Sequence, residues 1–145
     1  MINSNLRLVK RAVDNISNDI DKGAEMARDE MMNALIQLSK EEIKGRRPKG
    51  EKATAGQPPM NRTGNLRRSI KGERFRTGFA SYSAIVGPTI IYGRAVELGG
   101  DYAPKSWYGT SAMKGFPYME PAFKKFQARI QTQIISKYFG KIGKG

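Results

Sequence analysis

Ten apolar residues recur at steps of three or four along the first third of the chain: Leu6, Val9, Val13, Ile16, Ile20, Ala24, Ala27, Met31, Ala34 and Leu38. Nine steps cover thirty-two residues, so a single α-helix keeps one apolar face along its whole length. Asn3, Ser4 and Asn5 offer N-cap side chains, and Gly45 followed by Pro48 predicts a stop near Ile43 or Lys44. At 1.5 Å per residue such a rod is roughly 60 Å long. The chain has 145 residues, enough for one domain of ordinary size, and a domain of that size cannot cover the whole rod. Part of the stripe is therefore expected to meet another subunit or to stand out as an arm. Gly23, Ala24 and Ala27 narrow its middle, which favours a close crossing there and makes a poor coiled-coil seam.

Charge is unevenly placed. The formal net charge is +13, and its parts are −2 over residues 1–43, +9 over 44–76 and +6 over 77–145. A basic middle favours an anionic partner, nucleic acid or an acidic protein face; a solvated surface that aids solubility is the plainer alternative. Cysteine and histidine are both absent, which excludes disulfides, thiolate nucleophiles, Cys/His zinc sites and histidine relays. The start of the chain has no signal-peptide pattern, and no run approaches the length of apolar residues that spans a bilayer. The expectation is action in a cytoplasm, or in a particle assembled there.

Three segments follow from this reading: a long N-terminal amphipathic helix over 1–44, a mobile basic loop over 45–62, and a compact core over 63–145 within one domain. The loop carries Gly45, Pro48, Gly50, Gly56, Pro58 and Pro59, with Arg46, Arg47, Lys49, Lys52 and Arg62 between them. Neither helical nor strand period survives there, and the length exceeds that of most connections inside a domain. No aromatic side chain interleaves the cations to stack on bases, and no helix is available to enter a groove. Backbone attraction without sequence specificity is what these residues allow.

In the core, Thr63 offers an N-cap to a two-turn helix with Leu66 and Ile70 on one face. Weak alternation over 73–77, a turn near Gly78, and Ala80, Tyr82, Ala84 and Val86 on one side of 79–86 predict an antiparallel hairpin. Ile91 to Leu98 reads as a short helix closed by Gly99-Gly100. Tyr102, Trp107 and Tyr108 lie in an irregular stretch, either as anchors on the core or as protein-contact residues. Phe116 to Met119 reads as a brief edge strand because of Pro117. Pro121 suits the first position of a closing helix that starts near Glu120, with Ala122, Phe123, Phe126, Ile130, Ile134, Ile135, Tyr138 and Phe139 on its apolar face and Gly140 at its end. The fold class is α+β: two helices packed on a small antiparallel sheet, with a long basic loop.

Glu97 is the one core residue open to a catalytic reading. Its segment holds no second carboxylate, and Asp101 lies beyond the double glycine, so an ion pair with Arg94 or with a basic residue of a neighbouring chain is expected instead. Asp14, Asp19, Asp21, Glu25, Asp29 and Glu30 read as the wet face of the long helix rather than a metal cluster. No catalytic, cofactor or metal residues are assigned.

Five blocks in order carry a resemblance: Gly56-Gln57-Pro58-Pro59, Thr63-Gly64-Asn65-Leu66-Arg67-Arg68-Ser69-Ile70, Ala84-Ile85-Val86-Gly87, Tyr92-Gly93-Arg94-Ala95-Val96-Glu97-Leu98-Gly99, and Phe116-Pro117-Tyr118-Met119-Glu120-Pro121-Ala122. Together they resemble the neck or tail-completion proteins of long-tailed bacteriophages and prophages over residues 56–122. Gly93 departs from the alanine usual in that family, the Pro-Phe-Leu core of the last block is shifted, and residues 101–115 match nothing. The resemblance implies a non-enzymatic virion protein that forms a ring, commonly of six copies. Its partners would be a portal, head adaptor or head-completion protein on one side and a tail terminator or tail tube on the other, with double-stranded DNA passing through and no membrane. On that reading Arg46, Arg47, Lys49, Lys52 and Arg62 face the DNA channel or an acidic neighbour. Arg67, Arg68, Arg74, Arg76, Glu97, Trp107 and Tyr108 are expected near subunit contacts. A stand-alone nonspecific nucleic-acid-binding protein and a head-completion protein are the alternatives.

Overall fold

The apolar stripe winds into one uninterrupted helix, α1 (Ile2–Glu42), in the computed structural model, which describes residues 2–43, 56, 59, 63–100 and 114–140. The described elements that follow are α2 (Asn65–Ser69), the strands β1 (Ile70–Gly78) and β2 (Ser81–Pro88), α3 (Gly93–Leu98), and a closing helix made of α4 (Met119–Lys125), one π-helical turn (Phe126–Ile130) and α5 (Gln131–Phe139). The fold is α+β, as the alternation and periodicity imply. The expected basic loop over 45–62 lies outside the described residues apart from Gly56 and Pro59.

The closing helix runs antiparallel to α1. Lys125 pairs with the buried carboxylate of Glu42, Lys137 and the Tyr138 hydroxyl donate to Glu30 at 2.7 and 2.6 Å, and the Phe139 ring lies against Gly23. Between these ends Ala27, Phe126 and Ile134 are buried, with Met31, Ala34, Leu35, Leu38 and Ile130 packed around them. Phe126 and Ile134 are eight residues apart, which an unbroken α-helix would rotate by about 80° relative to each other. The π turn, in which the Gln131 N–H donates to the Phe126 carbonyl, winds less per residue. Both side chains consequently reach the same seam.

The expected close crossing falls at the far end of that seam, where Gly23 and Ala27 are buried. A β-carbon on Gly23 would sit 3.5 Å from the Phe139 ring, an ordinary contact. Since glycine costs about 1 kcal/mol against alanine in a helix interior, Gly23→Ala is expected to stabilise the chain by up to about that amount. A rise in the urea midpoint checks this; a fall would mean that the crossing needs bare backbone.

The hairpin crosses α1 on its other flank. β1 and β2 pair antiparallel from Ile70 opposite Pro88 to Arg76 opposite Tyr82, with a register shift between Arg76 and Gly78. Gly72 lies close against the helix, where a β-carbon would come 2.5 Å from the Met32 sulfur. The turn is Phe79-Ala80, one residue beyond the expected Gly78, with Ala80 at φ 49°. That left-handed conformation costs a non-glycine residue about 1–2 kcal/mol.

Three expectations are corrected here. The two-turn helix expected after Thr63 is the five-residue α2, with Gly64 and not Thr63 at its N-cap, and Ile70 opens β1 instead of lying on a helix face with Leu66. Phe116 to Met119 forms no strand: Phe116 donates to the Val96 carbonyl at 2.7 Å, Lys114 makes an isolated bridge with Gly99, and the chain enters α4 at Met119. Pro121 is the third residue of α4 rather than the first, still within the turn where a missing N–H leaves no helical bond unmade.

Candidate subunit interface and its supporting core

Blocks far apart in sequence meet in one small core. Ile43, Ile70 and Tyr118 are buried together, surrounded by Ile36, Leu66, Val86, Val96 and Met119. Tyr118, fully buried, donates its hydroxyl to the Gly93 carbonyl at 3.1 Å, and desolvation pushes its phenol well above the ordinary tyrosine range. Gly93 leaves no room for a side chain, since a β-carbon would come within 2.5 Å of Pro88. Glycine is therefore what the first position of α3 accepts.

Glu97 closes the same core. Its carboxylate accepts the backbone N–H groups of Tyr118 at 2.7 Å and of Met119 and Glu120 at 3.0 Å. Helix N-termini carry unpaired N–H groups and a partial positive charge, and a carboxylate supplied from another helix answers both. Pro121, the next residue, has no N–H to satisfy. The sequence predicts an ion pair of Glu97 with Arg94 or with a basic residue of a neighbouring chain; the structure adds that both of its oxygens serve the start of the closing helix of its own chain.

The acids of α1 need a correction too. Asp21, Asp29 and Glu30 are docking groups rather than a wet face. Asp21 accepts the Ala80 N–H at 2.8 Å, the Tyr82 hydroxyl at 3.0 Å and Arg76 Nη2 at 3.0 Å, and so fixes the strained turn onto the helix. Asp29 meets Arg74 Nε at 3.3 Å and Arg28 at 2.8 Å. The Arg28 guanidinium lies 5.0 Å from the centre of the Tyr82 ring and that of Arg76 lies 5.5 Å from it. Arg74 and Arg76, placed near subunit contacts from the sequence, therefore bind the hairpin to its own helix while remaining half exposed.

The Ala80 N–H, ahead of Tyr82 and Arg76, holds the Asp21 carboxyl below the ordinary aspartate range, with burial acting against it. A carboxyl depressed in the folded chain adds stability above its unfolded pKa of about 3.9 and loses it as pH falls through the folded value. Asp21→Asn is accordingly expected to be less stable than the parent at neutral pH, with the difference shrinking as pH drops below about 4. Urea midpoints measured across that range check the sign; a gap that stays constant would contradict it. Glu30, lowered chiefly by its bond from Lys137, adds to the same acid limb in both chains.

Arg67 and Arg68 line a shallow basic concavity of about 340 Å³ with Lys40 and Gly64. Arg68 Nη2 donates to the Thr63 carbonyl at 3.2 Å and to Asn65 Oδ1 at 2.7 Å, while Gly64, at φ 78°, takes the position before α2. Thr63 Oγ1 accepts the Asn65 N–H at 3.4 Å. Arg46, Arg47, Lys49, Lys52, Arg62, Trp107 and Tyr108 lie outside the described residues.

Among the described residues an apolar surface is left uncovered. Leu6, Val9, Val13 and Ile16 are 66, 59, 55 and 55% exposed, and they continue the face that the closing helix covers only from Gly23 onward. On the hairpin, Arg74, Arg76, Tyr82 and Val86 turn toward α1, which leaves Phe75 and Ile85 on the opposite face, 40 and 65% exposed. The sequence did not mark that second patch, because two apolar residues in adjacent strands become neighbours only once the register is known. Among the described residues no group of three or more acids is placed to hold a metal ion, and none of their helices is long and apolar enough to cross a membrane. No protein-family model matches the chain, and no curated protein and no solved structure matches it.

Proposed function

We propose that the chain is a structural component of a long-tailed phage or prophage particle. It would act at the neck as a tail-completion subunit, joining the head, through its portal or adaptor, to the tail terminator or tube. Several copies, six by the resemblance, would form a ring around passing double-stranded DNA, assembled in the host cytoplasm and carried in the virion.

The observation that carries this reading is that the separated blocks behind the resemblance share one packed core. Leu66 and Ile70 come from the first helical block, Val86 from the strand block, Gly93, Val96 and Glu97 from the next, and Tyr118 and Met119 from the last, and they touch in a single cluster. A joiner needs surfaces that fit other subunits, and the bare α1 stripe and hairpin face are of that kind. The basic middle of the chain adds attraction to DNA that carries no sequence information.

The concavity of Lys40, Arg67 and Arg68 favours one second reading, a nonspecific nucleic-acid binder acting alone. Binding of the free chain to a short duplex separates the two. A stand-alone binder holds the duplex tightly and loses affinity steeply between about 50 and 200 mM salt. A neck subunit binds weakly as a free chain and is recovered from purified particles in a fixed number of copies.

A further inference from the structure

We propose that the bare N-terminal half of α1 in one copy lies along the outward face of the β1–β2 hairpin in a second copy. The contact is head-to-tail, since a chain cannot make it with itself. The hairpin's inner face is bound to α1 over Asp21, Asp29 and Met32, and its outer face points away. The arm continues that same helix past Asp21, whose bonds hold the chain's own hairpin by its inner face, so the contact proposed joins two copies.

The two surfaces fit in size and chemistry. The stripe from Leu6 to Ile20 runs about 21 Å at 1.5 Å per residue, and the eight residues of β2 extend about 26 Å at 3.3 Å each. Four aliphatic residues on the arm meet Phe75 and Ile85 on the hairpin, all well exposed in the single chain. The cross-strand partner of Ile85 on that face is Glu73. On the arm, Lys10 follows Leu6 by four residues and precedes Val13 by three, at the edge of the stripe, and no acid precedes Asp14. Lys71, opposite Gly87, is the cation at the far end of the hairpin face.

A two-stranded sheet is marginal on its own, and among the described residues this one has a helix on one side only. A neighbour's arm would supply the missing layer. Heterologous contacts of this kind either close into rings or run on as filaments. The contact thus gives the proposed ring a specific joint, and it rests on the neck reading for the number of copies that close, not for the pairing itself.

The absence of cysteine makes the test direct. Full-length Val13→Cys and Ile85→Cys chains, each altered at an exposed position, are mixed at the highest concentration they tolerate and treated with a short bismaleimide. The mixed 13–85 product is expected roughly tenfold or more above that of Val13→Cys paired with the control Gln133→Cys, because docking raises the effective concentration of the two thiols. The double variant is expected to give a ladder of multimers. Dominant 13–13 product, meaning arms paired symmetrically, overturns the proposal, and so does a mixed yield equal to the control. A chain missing from virus particles would sink the neck reading and leave this result standing.

Discussion

Replacing Glu97 by alanine is expected to cost the folded chain about 3 kcal/mol, a large fraction of the roughly 5–15 kcal/mol that holds a domain folded. Three N–H groups at the start of the closing helix lose a charged acceptor at once. Hydrogen bonds to charged groups are worth roughly 1.5–3 kcal/mol each, and water recovers part of the loss at Glu120, whose bond to Glu97 is exposed. The effect should spread. Tyr118 sits at the head of that helix and fills the small core, so loosening it also weakens the contacts of Ile43 and Ile70. Glu97→Gln retains one oxygen and turns an amide donor toward another donor, and about half of the loss is expected to remain. Urea unfolding of the isolated chain decides the matter. Unchanged stability combined with impaired assembly would return Glu97 to a subunit contact.

The second large effect concerns assembly and leaves the fold alone. Changing Leu6, Val9, Val13 and Ile16 together to glutamine keeps a good helix former at each position and removes no contact from either core cluster. Thermal and urea unfolding of the single chain should stay within about 0.5 kcal/mol of the parent. Association should collapse, because four buried aliphatic side chains are worth roughly 6 kcal/mol of gross apolar burial. That corresponds to several powers of ten in affinity. Sedimentation of the two proteins at equal concentration gives the comparison. Equal assembly would mean that the stripe is idle; a large loss of fold stability would mean that it packs within the chain.

How far the sequence could be read depends on the range over which each signal acts. The stripe of α1 lies in consecutive residues, so periodicity revealed both the helix and the fact that one domain could not cover it. Alternation likewise placed the hairpin, though the turn moved to Phe79-Ala80. Ala80 holds a left-handed conformation because Asp21, fifty-nine residues away, takes its N–H, and no local preference encodes such a partner. Glu97 was weighed against other ionisable side chains, whereas its partners are backbone N–H groups, which residue types do not display. The π turn left no mark either, since it answers a demand of the seam between Phe126 and Ile134. Arg74 and Arg76 read from the sequence as subunit-contact cations, whereas the docking of the hairpin on α1 sets them against Asp29 and Asp21.

The proposal that this chain is a part completed by its neighbours rests on the tight packing around Tyr118 and on an exposed apolar arm. Imaging of virus particles produced without it addresses that claim most directly. Filled heads lying beside separate, completed tails are the result expected of a missing joiner. Intact, infectious particles with normal necks would contradict it.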